Sequence, residues 1–165
     1  MKRGERGFTL IELAIGVAIL GIIMPALTMT TATFLNNHQK ANDHNIALCQ
    51  VQNAGRWVSC DVQMARNLIF DAPSGFPLTL DIPIDMDESN DNKVVYSVDS
   101  SKLKRQVYDS SDNLTAETMI IGQVDVLDIV FSTADSSTYN LTAKVTKGEV
   151  VVERSYEIAQ RIGSE

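Results

Sequence analysis

Glu12 is the one ionisable side chain in Phe8–Leu27, the run FTLIELAIGVAILGIIMPAL. A charged group at the centre of a bilayer costs roughly 2.5 to 3.5 kcal/mol, less near an end, so its presence there points to a function. A second cluster of carboxylates is Asp81, Asp85, Asp87, Glu88 and Asp91, in which Asp85, Asp87, Ser89 and Asp91 alternate as the oxygen ligands of a calcium loop do. The glycine and the closing Glu of an EF-hand are missing. A solvated acidic loop is therefore expected, with no metal or other cofactor; Asp85, Asp87 and Asp91 are weak calcium candidates. Cys49 and Cys60 are the only cysteines. On one helix they would share a face but stand ~16 Å apart, whereas a disulfide needs Cα atoms within roughly 7 Å. They are expected to be two small buried apolar residues, with an intermolecular bridge or a broken helix as alternatives. His38 and His44, six apart, fall on different helix faces and make no ligand pair. With those two histidines alone, and no phosphate loop, zinc spacing or nucleophile elbow, no enzyme is expected. Trp57, beside an apolar helix face, is expected in the core.

These residues must be positioned by two unlike regions. Lys2, Arg3 and Arg6 precede Phe8 with one acid, Glu5, and no Asp, Glu, Lys or Arg occurs from Leu13 through Gln39. Twenty residues of helix at ~1.5 Å each span the ~30 Å core of a bilayer. The basic flank comes first, so the positive-inside rule puts Met1 in the cytoplasm and the rest outside. Thr30-Thr31-Ala32 would suit a secretory signal peptidase, and a plain signal anchor has the same hydropathy. Glu12 weighs against both. The whole chain, 165 residues with 14 Lys plus Arg against 21 Asp plus Glu, carries a net charge of −7. Its length suits one core, and its acidity argues against nucleic acid as the main partner.

Between Pro25 and Pro73 there is no proline and one glycine, Gly55. Leu48, Val51, Ala54, Val58, Val62, Ala65 and Leu68 or Ile69 recur at steps of three and four, which predicts one helix from about Phe8 to about Phe70, with Pro25 as a kink point and the cluster Pro73 to Pro77 as its end. From Asn92 the period becomes two. Val94, Tyr96 and Val98, a Ser100-Ser101 turn, Leu103 to Tyr108, a run Val124 to Phe131, then Leu141, Ala143 and Val145, a Lys147-Gly148 turn, and Val150, Val152, Tyr156 and Ile158 predict antiparallel strands. The fold expected is α+β, with residues 1–7 a leader, 8–27 a membrane or filament-core helix, 28–70 its continuation, and 71–165 a β-rich head.

The run Gly7-Phe8-Thr9-Leu10-Ile11-Glu12-Leu13, behind a basic leader and ahead of an uncharged helix, resembles the class III signal of type IV pilins and pseudopilins. The resemblance implies cleavage after Gly7 by a prepilin peptidase, N-methylation of Phe8, and retention of the helix. It also implies partners: other pilin or pseudopilin subunits and an inner-membrane assembly platform. The chemistry agrees with it. Cleavage creates an amine at Phe8 four residues before Glu12, and charges buried between packed helices need partners. Glu12 of one subunit can take the Phe8 amine of its neighbour and fix their offset. Removing Met1 to Gly7 leaves 11 Lys plus Arg against 20 Asp plus Glu, a charge of −9. In the head, Gly55-Arg56-Trp57-Val58, Asp61-Val62, Ala65-Arg66, Val95 to Val98, Leu103 and Arg105 are similar to minor pilins of the PilW type and the J-class minor pseudopilin of type II secretion, groups that prime or cap a filament. Some pseudopilin heads bind calcium. The rival expectation is a monomeric, single-pass anchored binding domain.

Overall fold

Leu10 begins a helix, α1 (Leu10–Met64), that continues through Pro25 and is followed, among the described residues, by strands. The computed structural model describes residues 9–71, 73–84, 91–135 and 137–161. The chain divides into two compact units, Met1–Ala41 and Asn42–Glu165.

Within the first unit every described residue is exposed, including Leu13, Ile15, Val17, Ile19, Leu20, Ile22 and Leu27. From Leu13 through Leu27 the helix holds no polar side chain to mark one side as outer. It is long and apolar enough to cross a membrane. Beyond Pro25, the hydroxyls of Thr28, Thr30, Thr31 and Thr33 donate to the carbonyls of Met24, Ala26, Leu27 and Met29 at 2.8–2.9 Å, which satisfies them without water.

In the second unit the helix buries one stripe, Ala47, Val51, Ala54, Val58 and Val62, against two antiparallel sheets. The first sheet runs in the order β1 (Asn67–Phe70), β2 (Leu78–Ile82), β3 (Asn92–Asp99), β4 (Lys102–Tyr108) and β5 (Leu114–Ile121). The second is β6 (Val126–Asp135), β7 (Thr138–Lys147) and β8 (Val150–Ala159). Leu78, Leu80, Val94, Tyr96 and Leu103 from the first sheet, and Phe131, Leu141, Ala143, Val145 and Ile158 from the second, complete one core. The architecture is the expected pilin-like α+β arrangement, a long N-terminal helix followed by antiparallel sheets. The expected alternation holds in β7, where Leu141, Ala143 and Val145 are buried and pair with Tyr156, Arg154 and Val152.

Three expectations need correction. The helix does not reach Phe70: it ends at Met64, and residues 67–70 form β1, paired with β2 in the register Leu68↔Leu80. No breaker stops it. Tertiary bonds do, because Arg66 N–H donates to Asp81 O at 2.8 Å and Gln160 Nε2 caps the Ala65 carbonyl at 2.9 Å. Consequently the Pro73 to Pro77 cluster joins β1 to β2 instead of ending the helix; Gly75, at φ +79°, lies where a Cβ would overlap the Phe131 carbonyl. Cys49 and Cys60 are free but exposed, not buried. At 100° per residue Cys49 lies 200° from Val51, and Cys60 the same from Val58, so both face away from the core. Trp57 is 41% exposed and is not part of the core.

Candidate functional site

Gly7 and Phe8 lie outside the described residues, and the site begins at Thr9. The Thr9 N–H and hydroxyl both donate to Glu12 Oε2, at 3.0 and 2.8 Å, and Thr9 Oγ1 accepts from Glu12 N at 3.4 Å. This is a capping box: Thr9 starts the helix and Glu12, three residues on, reaches back to it. Thr-x-x-Glu ahead of an apolar run was a visible signal that the sequence reading passed over. In the full-length chain the carboxylate therefore has a local task. The next residue toward the N-terminus is Phe8, whose nitrogen becomes an amine if the chain is cut after Gly7.

A second carboxylate sits in the head. Asp61 lies on the buried stripe of α1 between Val58 and Val62, with its side chain 3% exposed. Arg105 on β4 grips it with both prongs, Nε to Oδ2 at 2.7 Å and Nη2 to Oδ1 at 3.3 Å, and the Tyr96 hydroxyl on β3 donates to Oδ2 at 2.6 Å. Tyr96 and Arg105 meet because they are direct partners in the β3–β4 ladder. Trp57, one turn before Asp61, lies under the guanidinium, 5.1 Å from ring centre to Cζ. Burial first, and then the Asp61 charge, push the Tyr96 phenol far above its ordinary value, so it stays a donor. Burial would lower Arg105, but its bonds to Asp61 outweigh this and hold it above its usual value. The sequence reading assigned Trp57, Asp61, Tyr96 and Arg105 no joint role.

Of the calcium candidates, Asp85 and Asp87 lie outside the described residues. Asp91 Oδ2 is 3.4 Å from Arg66 Nη1, while its buried Oδ1 has no hydrogen-bond partner among the described residues. It lines an open cleft of about 680 Å³ with Asp81, Asp109, Asp112, Arg66 and Lys93, where Lys93 pairs with Asp112 at 3.1 Å. The described residues contain no group of three or more His, Cys, Asp or Glu side chains able to hold a metal ion. His38 meets Phe34 edge to face at 6.2 Å.

Residues 2–24 match the family model described as the prokaryotic N-terminal methylation motif. The chain thus carries a prepilin-type methylation signal, running from the basic leader into the membrane-capable helix. No curated protein and no solved structure matches it.

Proposed function

We propose that this chain is a structural subunit, not an enzyme, of a type IV pilus or of a type II secretion or competence pseudopilus. A prepilin peptidase cuts after Gly7 and methylates Phe8; the subunit then waits in the inner membrane with its N-terminus cytoplasmic and its head outside, and an assembly platform adds it to the filament. The carrying observation is the methylation motif at residues 2–24, continuous with a helix that from Leu13 through Leu27 is apolar on every side. Such a helix suits lipid first and the packed interior of a filament later, because neither environment asks for a polar face.

Within this reading Glu12 is the assembly residue. The capping box holds its carboxylate at the start of the helix, where the Phe8 amine of a neighbouring subunit supplies the cation that an apolar surrounding demands. The resemblance of the head segments, read from the sequence, to PilW-type and J-class proteins favours a low-copy subunit. Calcium, if bound in the head, would use Asp85, Asp87 and Asp91, although Arg66 already stands 3.4 Å from Asp91.

Mass spectrometry of the N-terminus of protein recovered from the native host is the test. An N-methylated Phe8 is expected. An intact Met1 would leave the rival, a monomeric anchored binding domain, and a terminus just after Ala32 would mean a secretory signal peptide.

A further inference from the structure

Among the described residues the two sheets leave four edge strands, and they are unequally protected. β1 is four residues long. β6 carries Asp128 and Asp135 and breaks register between Thr133 and Asp135, and β8 carries Glu153, Arg154 and Glu157. Short strands, bulges and edge charges are the devices that keep an edge from pairing with another chain. β5 has few of them. It bonds to β4 on one side and to no described strand on the other. It is exposed from Leu114 through Met119, with those two side chains 51% and 53% exposed, and holds no Lys, Arg or Pro. Its ladder to β4 is regular across Ala116–Met119, with register shifts beyond either end. The one charge is Glu117, whose Oε2 accepts from Gln106 Nε2 at 2.8 Å.

We propose that β5 is a docking edge that takes an extended segment of a different protein as an added antiparallel strand. Main-chain bonds would supply affinity and alternate side chains specificity. Charge selects the partner. Asp71 to Asp135 holds 13 acids against four basic residues, so a second copy would bring the same excess and set its own Glu117 near this one. The fitting segment is non-acidic, with apolar side chains against Leu114 and Met119 and a Lys or Arg opposite Glu117. This inference is independent of how the N-terminus is processed.

The test uses the full-length chain in detergent micelles and three synthetic decapeptides: an alternating Val/Thr strand with a Lys to face Glu117, the same with Glu for Lys, and the same with two prolines. Hydrogen exchange locates binding and fluorescence anisotropy ranks it. The Lys peptide is expected to slow exchange in 114–119 at least tenfold, the Glu peptide to bind at least tenfold more weakly, and the proline peptide to leave exchange unchanged. Leu114→Lys and Met119→Lys should each remove the protection while the melting temperature holds. Three results would overturn the proposal: no protection of 114–119 by the Lys peptide at millimolar concentration, equal protection on β1, β6 or β8, or concentration-dependent protection without peptide, which would make the partner a second copy.

Discussion

Of the three carboxylates on helix α1, Glu12, Asp43 and Asp61, the first lies in one unit of the chain and the last in the other, and these two are satisfied in different ways. Asp61 is surrounded by its own protein: two bonds from Arg105, one from Tyr96, and Trp57 beneath the guanidinium. Glu12 has bonds from Thr9 and, among the described residues, no cation beside it. The difference teaches where each charge finds its counterpart. Asp61 is balanced within the chain and its role is to fasten helix to sheet. Glu12 sits on a helix exposed throughout the described part of its unit, and in the proposed filament its cation would come from a neighbouring subunit once water is removed.

Breaking the internal pair should have the largest effect on the fold. Removing one member of a buried ion pair costs about 3–5 kcal/mol, so Asp61→Ala should lower the thermal midpoint of the head by roughly 10 °C or more, read by circular dichroism on the detergent-solubilised chain. Glu12→Ala should leave that midpoint in place. Equal shifts from both variants would erase the contrast between the two carboxylates.

Next in size is the packing of the helix on the second sheet. A Cβ added to Gly55 would overlap the Tyr156 ring, whose hydroxyl donates to Val51 O at 3.3 Å. Gly55→Ala should therefore destabilise the head by about 1–3 kcal/mol through overpacking, even though alanine is the better helix former. A neutral or stabilising result in urea titration would mean the ring can move aside.

Asp61 was legible and was missed. It falls among Val51, Ala54, Val58, Val62 and Ala65 on a stripe counted as apolar, and a carboxylate there requires a cation. By contrast, β5 was not legible, because Leu114 to Met119 is exposed on both faces and so shows no alternation. Nor was the end of α1, which rests on bonds from Gln160 and to Asp81 that are remote in sequence. The division of the strands into two sheets is equally non-local. The β3–β4 hairpin and the β7–β8 hairpin were readable from their period and turn residues, since each pairs neighbours in the chain.

The smallest effect concerns acid. The Asn113 N–H holds Asp109 below the usual carboxylate range, and the Gly148 N–H, aided by Lys147, does the same for Asp125. With folded values below unfolded ones, their contribution is present above about pH 4 and is lost as pH falls through the folded values. Asp125→Asn should accordingly flatten the melting curve against pH only below about pH 4. A change confined to neutral pH would contradict this assignment.

Cross-chain pairing of Glu12 is tested most directly by measuring Glu12→Ala in purified filaments and in the membrane of the same cells. The predicted result is a variant that is cut after Gly7 and methylated at Phe8, accumulates in the membrane with a normally folded head, and is absent from filaments. Incorporation at the wild-type level would contradict it.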